Sequence, residues 1–512
     1  MKRALVLCLF VVTLCPCIPA RAQATSEQAQ ADLQQGIAFL REGNASTACE
    51  QFKSAILQDP NLAEAYIYLG IAENQLGQFA DAEPAFRHAL KLNESSEAAH
   101  YNLALSLLSL QKVDEALREF RVVVKLNPSN GSAHYNMALL LAQLGNLKEA
   151  CNHLEAAKSI QPDDPAIRVH LTDLYLRTGN DSGALRLAAE STNLDSDGTL
   201  SMALGKVLIE RSRFKEAMPL LEKAQSLLKE EASWEIYDLR GSAALGLGRR
   251  DEASQALSKA ISMRPSEASP HYHLGKLMLS SRDREERTRG VEEINEAIKL
   301  DSTQAEYYLT LASYYFDTGN LKPTISLLTS ALDRVPPSVQ IYVTLGLAEL
   351  ELEGPTPAEP FIAKAIALDP QAGAGYDLLG RCRMRVDDYA SAAQYYIKAA
   401  KLTPGNDIYS RDAAIALDKL GKSTEALPFA EQSVKLRPDQ VYNHYILGKL
   451  YSQTGGKTDA IRQLEICVNL NPQNSLPYNL LATLYKRTGE DAKAESCWRT
   501  LRSLKQQGTE QA

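Results

Sequence analysis

Three sets of residues in this chain have side chains and spacings that suggest chemistry. His271-Tyr272-His273 offers two imidazoles, which are common metal ligands. Gly421-Lys422-Ser423 and Gly456-Lys457-Thr458 copy the end of a phosphate-binding loop, where backbone amides and a lysine cradle the anion. Cys49, Cys151, Cys382, Cys467 and Cys497 are thiols available to a metal or a disulfide. The surrounding sequence argues against each. On a helix, residues two apart lie about 200° round the axis, so His271 and His273 cannot share an ion; ligand pairs on one helix are four apart. The glycine that a phosphate loop needs five residues earlier is Ala416 in one case and Tyr451 in the other, and no strand precedes either. Of the eight cysteines, Cys8, Cys15 and Cys17 belong to the N-terminal segment read below as a signal peptide; the other five are odd in number and irregularly spaced, with no CxxC, so they make neither a disulfide framework nor a zinc site. They read as small apolar residues on helices, with a Cys467–Cys497 bridge as the alternative. No other grouping has the acid, base and nucleophile that catalysis needs. The expectation is a non-enzyme without cofactor or metal.

The elements that carry these residues are set by a period. Ala99–Pro162 contains His100-Tyr101-Asn102-Leu103-Ala104, which recurs 34 residues later as His134-Tyr135-Asn136-Met137-Ala138. Ala116 recurs as Ala150, and Pro128 as Pro162. A fixed period of this length marks a solenoid, whose units bury their apolar faces only by stacking. A small residue in mid-helix (Gly70, Ala104, Ala138, Gly380 and their equivalents) and a loop-ending proline or substitute, down to Glu230 and Ser302, recur along the chain. They mark 14 units from about Glu27 to about Gln506, each a pair of helices. Between the helices glycine recurs at Gly43, Gly77, Gly145, Gly179, Gly248, Gly319, Gly421, Gly455 and Gly489. Glycine suits the left-handed residue that ends a helix. Both phosphate-loop look-alikes fall at this turn. His100, His134, His271 and His444 share one register, which reads as packing.

This pattern resembles the tetratricopeptide repeat. Gly70, Ala82, Phe86, Ala89 and Pro60 stand at the family's positions, as do the tyrosines Tyr175, Tyr315, Tyr451 and Tyr485. The resemblance implies an all-α, right-handed superhelical solenoid whose first helices line a concave groove. By it, the groove lining is Tyr101, Asn102, Leu105 and Leu108, then Tyr135, Asn136, Leu139 and Ala142, with Tyr272 and Tyr445 at the place of Tyr101. Tyrosine, leucine and asparagine suit a protein or peptide partner; the alternative is that winding buries them between units. The family's carboxylate clamp needs basic residues where Ile67 and Leu105 stand. Its asparagine ladder, found in sugar-transferring relatives, needs more than Asn102 and Asn136.

Three segments depart from the pattern. Residues 280–290 lengthen the space between two helices by three residues, as a solvated loop or extended helix end, or as a bend or contact site. Residues 197–230 form a degenerate unit, a candidate seam. Trp498, Leu501 and Leu504 lie on the last helix, either packing on the preceding one or forming a homodimer surface. A tail at 507–512 reads as disordered.

The N-terminus differs from the rest. Lys2-Arg3 precede the apolar run Ala4–Leu14, and Ala20-Arg21-Ala22 has small residues at the −3 and −1 sites. Residues 1–22 therefore read as a signal peptide cleaved after Ala22, the apolar run being too short to span a bilayer, with an uncleaved anchor as the alternative. Cleavage leaves 52 basic against 63 acidic residues, a net charge of −11. No membrane span then remains, and an acidic chain does not suit nucleic acid. The reading is an exported, periplasmic or secreted scaffold that binds a protein or peptide, with an envelope assembly or export complex as its expected setting. The alternatives are a self-associating structural protein and a regulatory subunit of a glycosyltransferase-like enzyme.

Overall fold

A computed structural model describes the backbone of residues 17–229 and 233–510, and the side chains of 27–229 and 233–506. Residues 1–16 of the expected signal peptide, and Glu230, lie outside the described residues. The described residues are all-α, with 28 helices in 14 pairs. The chain divides into two compact units between Ala253 and Ser254.

The first unit holds α1 (Cys17–Arg41), α2 (Ala45–Gln58), α3 (Ala63–Gln75), α4 (Phe79–Leu92), α5 (Glu97–Ser109), α6 (Val113–Leu126), α7 (Gly131–Gln143), α8 (Leu147–Ile160), α9 (Pro165–Arg177), α10 (Asp181–Thr192), α11 (Thr199–Glu210), α12 (Phe214–Leu228) and α13 (Trp234–Gly246). The division falls within α14 (Arg250–Met263). The second unit continues with α15 (Ala268–Leu279), α16 (Arg284–Leu300), α17 (Ala305–Asp317), α18 (Leu321–Ala331), α19 (Val339–Leu352), α20 (Pro355–Leu368), α21 (Gly373–Arg385), α22 (Tyr389–Leu402), α23 (Asp407–Lys419), α24 (Ser423–Leu436), α25 (Val441–Thr454), α26 (Lys457–Leu470), α27 (Leu476–Thr488) and α28 (Asp491–Glu510).

The two helices of a pair are built differently. In α6, Ala116, Leu117, Phe120 and Val123 are buried, a single stripe at helical spacing. In α5, Ala99, Leu103, Ala104, Ser106 and Leu107 are buried, a wider arc, because a first helix is covered by its own partner and by the preceding pair. The small residue in mid-first-helix seats a large side chain 16 residues later. A Cβ on Gly70 would meet the Phe86 ring at 2.6 Å, and one on Gly380 would meet Tyr396 at 2.7 Å. Phe86 and Phe120 are fully buried, each worth about 2–3 kcal/mol of apolar burial.

The turns follow the same logic. All nine predicted turn glycines have φ between 70° and 94°. Where the pattern has no glycine, Gln111 (φ 62°) and Asp387 (φ 57°) take the left-handed conformation instead. Such a residue crowds its Cβ against the backbone, at about 1–2 kcal/mol. Asn44, Asn130 and Asn180 cap helices, accepting from the amides of Thr47, Ala133 and Gly183.

The three departing segments take these forms. Of the readings of 280–290, the extended helix end is the one present: the connection is 280–283, and α16 begins at Arg284, capped by Asp283, which accepts from the Glu286 amide. Arg287 stabilises that start by donating to the carbonyls of Ser281 and Arg282. The candidate seam at 197–230 lies within the first unit, and the division comes later. Helical backbone runs past the expected tail boundary at 507 as far as Glu510. No described helix is long and apolar enough to cross a membrane.

Candidate functional site: the exposed edge of the first helices

Within each unit most first helices lie close to the next: α1–α3, α3–α5, α9–α11 and α11–α13 in the first, α15–α17, α17–α19, α19–α21, α23–α25 and α25–α27 in the second. The steps α5–α7, α7–α9 and α21–α23 are looser. Cavities open at the second and third of these.

In the first unit, Tyr101, Asn102, Leu105 and Leu108 of α5 and Tyr135, Asn136, Leu139 and Ala142 of α7 are all half-buried. Their shared register puts them on one edge. Tyr101, Leu105, Leu108, Tyr135 and Ala142 rest on the core below and keep the remainder of their surface outside. The two asparagines are less alike than their spacing suggested. Asn102 Nδ2 donates to the Ala98 carbonyl of its own helix at 2.8 Å, whereas Asn136 Nδ2 donates to the Tyr101 hydroxyl at 3.2 Å. That second bond ties α7 to α5. The Tyr135 ring meets His170 edge-on at 5.7 Å, carrying the edge on to α9. There a cavity of about 310 Å³ is lined by Leu139, Ala142, Gln143, His170, Asp173, Leu174 and Arg177. Asp173 is held by Arg211 at 2.6 Å and Arg177 at 3.8 Å.

In the second unit the two predicted tyrosines differ. Tyr272 is 2% exposed, which corrects its assignment to the groove surface. Its hydroxyl donates to Glu306 at 2.6 Å, its ring stacks on Tyr307 at 4.6 Å, and α17 covers it. Burial and the Glu306 carboxylate both raise its pKa. Tyr445 is half-buried and packs between the cores of its own and the following pair.

The same register on α19, α21 and α23 carries charges that sequence reasoning passed over. A cavity of about 320 Å³ is lined by Leu350, Glu351, Arg381, Met384, Arg385, Tyr396, Arg411, Asp412 and Ile415. Arg381 Nε donates to Asp377 Oδ2 at 2.9 Å. Arg385 donates to the Leu350 carbonyl at 3.1 Å and pairs with Glu351. Arg411 Nε donates to Asp412 Oδ1 at 2.8 Å. Asp377 is 7% exposed, and its Oδ1 has no hydrogen-bond partner among the described residues. Burial pushes its carboxyl up to about 6, against the opposing pull of Arg381. The signal was available: Arg381 stands at the register of Leu105, and Arg411 at that of Tyr101.

The other candidate chemical groups are used in the scaffold. His100 Nε2 bonds the Glu94 carbonyl at 3.0 Å and Nδ1 meets Glu119 at 2.5 Å. His271 repeats this with the Pro265 carbonyl and Glu293, and His444 with the Pro438 carbonyl and Gln463. His134 does so with the Pro128 carbonyl and His153, the two Nδ1 atoms lying 2.9 Å apart. Each histidine thus pins its preceding loop to its second helix. Burial, then the charge of His134, lowers the pKa of His153. Gly421 and Gly455 lie in left-handed turns, and Lys422 and Gly456 occupy the N-cap positions of α24 and α26. Cys467 and Cys497 are free, buried thiols rather than a bridge; burial holds Cys467 up at about 12. Trp498, Leu501 and Leu504 pack on the core of the last pair, with Glu495, Arg499 and Arg502 facing out. Among the described residues, no three His, Cys, Asp or Glu side chains group as metal ligands would.

Sequence models described as tetratricopeptide repeat match residues 33–99, 75–130, 101–165 and 378–441, and a second one matches 235–267. Anaphase-promoting complex subunit 3 of Schizosaccharomyces pombe is 26% identical over 171 residues, which is 33% of this chain and 25% of that protein. This chain therefore matches only a quarter of that relative's length. Among solved structures, the APC/C hetero-tetramer Cut9–Hcn1 is 15% identical over 91% of this chain and 98% of that one, with a TM-score of 0.40. MamA 41-end from Desulfovibrio magneticus RS-1 is 20% identical over 33% of this chain and 96% of that one, with a TM-score of 0.31.

Proposed function

This chain carries tetratricopeptide repeats, and from that premise we propose that it is a non-enzymatic scaffold that holds a protein or peptide along α5, α7 and α9. One observation carries the proposal. Tyr101, Asn102, Leu105, Tyr135, Asn136 and Leu139 form a continuous half-exposed row that leads into an open cavity. Half-buried tyrosines give contact area at low cost in side-chain freedom, since their inner edges are already held by the core. The asparagine amides can exchange bonds with a peptide backbone. The relative named as a subunit of a complex is in keeping with a partner-binding role.

Export belongs to the same proposal and rests on Lys2-Arg3, the apolar run Ala4–Leu14 and the Ala20-Arg21-Ala22 site. The scaffold then works in a periplasm or outside the cell, within an envelope assembly or export complex. N-terminal sequencing of the native protein should begin at Gln23; a mature chain retaining residues 1–22 removes the export part. Affinity capture from the native envelope tests the groove. The double variant Tyr101→Ala with Tyr135→Ala should lose the partners that the wild type retains. Retention of the same partners by a folded double variant would overturn the groove reading.

A further inference from the structure

We infer that α19, α21 and α23 form a second binding segment, selective for the acidic side chain of a peptide. The inference rests on the scaffold reading but uses a different stretch of the chain. Arg381, Arg385 and Arg411 wall one cavity; Arg381 is pinned at its Nε edge by Asp377, Arg411 at its Nε and one terminal nitrogen by Asp412, and Arg385 through both terminal nitrogens by the Leu350 carbonyl and Glu351. Arg381 is held through Nε by the buried Asp377, while Nη1 and Nη2 have no partner among the described residues. A guanidinium fixed at one edge with its terminal fork free matches a carboxylate through two parallel hydrogen bonds. Its orientation is already set, so little side-chain freedom is lost on binding.

The rest of the wall narrows the ligand. Leu350, Met384 and Ile415 give an apolar surface beside the arginines, which fits an aliphatic residue next to the acid. Glu351 and Asp412 lie in the same wall. They repel any anion, a phosphate dianion or a polyanionic nucleic-acid backbone more strongly than a single carboxylate, and they can accept N–H donors from a peptide main chain. The cavity spans three successive first helices, so a strand passes through it rather than ending in it, which favours a side-chain carboxylate over a chain terminus. Its volume of about 320 Å³ accommodates one such side chain and its neighbour.

The test uses three fluorescein-labelled nonapeptides and the full-length protein. One is end-capped and alternates leucine with glutamate; the second replaces glutamate by glutamine; the third is the glutamine peptide with a free C-terminal carboxylate. Anisotropy titration should show the glutamate peptide binding at least about tenfold more tightly than either of the others, a preference that weakens with salt. The double variant Asp377→Asn with Arg381→Gln replaces the ion pair by neutral groups of similar shape, and its melting curve checks that it folds. It should reduce the preference to less than about twofold. Tyr101→Ala with Tyr135→Ala should leave the preference intact, which separates this site from the groove of the first unit. Equal affinity for the glutamate and glutamine peptides, binding of none of them at millimolar concentration, or a preference that survives in the Asp377→Asn, Arg381→Gln protein overturns the inference. Tight binding of the third peptide alone overturns the choice of a side chain.

Discussion

The edge of α5–α9 and the edge of α19–α23 occupy the same register of the same repeat, yet one is tyrosine, leucine and asparagine and the other is three arginines with three acids. The helix pairs beneath them are alike: Ala104 faces Phe120 in one, and Gly380 seats Tyr396 in the other. The difference teaches that the repeat decides where a side chain points, while the residue placed there decides what it meets. The apolar edge spends little of its surface on bonds within the protein. The charged edge is an internally paired network, in which each cation has been given an anion by a neighbouring turn or helix.

The comparison can be broken most forcefully at its shared position. Arg381→Met in the second unit leaves Asp377 buried without a cation, and about 3 kcal/mol of stability should be lost at pH 7. Leu105→Met at the same register of the first unit should cost less than about 1.5 kcal/mol. Urea unfolding of the two variants measures both, and equal losses would mean that the charged network adds nothing to its unit.

Acidity should move the two edges in opposite directions. The Asp377 carboxyl is pushed up to about 6, so the folded protein keeps a proton that the unfolded chain gives up near its ordinary value of 3.8. Stability of the second unit should therefore fall as pH rises from about 4 to about 6, by roughly 2 kcal/mol, and Asp377→Asn should flatten that slope. His153 is held below its ordinary 6.5, so the unfolded chain takes up a proton that the folded one refuses. The first unit should lose stability as pH falls below about 6.5. Hydrogen exchange in α8 and α21, corrected for intrinsic rates, should show opposite trends between pH 4 and 6. Parallel trends would dissolve the contrast.

The smallest effect sharpens the comparison at the turns. Gln111 follows α5 and Asp387 follows α21, both left-handed where most other pairs have glycine. Gln111→Gly should stabilise by about 1 kcal/mol. Asp387→Gly should give less, because it removes the hydrogen bond from the Tyr389 hydroxyl at 2.5 Å. Thermal melts of the two variants compare them directly.

Much of the fold was legible before any coordinates. The 34-residue period located the pairs, and the nine turn glycines all adopt the conformation for which glycine is suited. Registers were legible too: Tyr101 and Tyr135 are both half-buried at the register they share. Tyr272 shares that register and is nonetheless buried, because Tyr307 and Glu306 of the next pair reach over it. The histidine register was visible, but its partners were not. Glu119, His153, Glu293 and Gln463 lie on second helices about twenty residues away, and no local pattern names them. Arg381 and Arg411 stand in the sequence at the registers of Leu105 and Tyr101, but the pairing of each with its acid is no part of the repeat pattern.

The sequence by itself determined the helices, their pairing and the residue each pair offers at its exposed edge, because period, small residues and turn glycines are local and additive. Tertiary structure alone decided which of those edges stay open. That depends on the spacing between successive first helices, looser at α5–α7, α7–α9 and α21–α23 than at the other steps within each unit, and on the size of the side chain that the neighbouring pair happens to present. Burial is a property of two units at once, and a repeat read one unit at a time does not contain it.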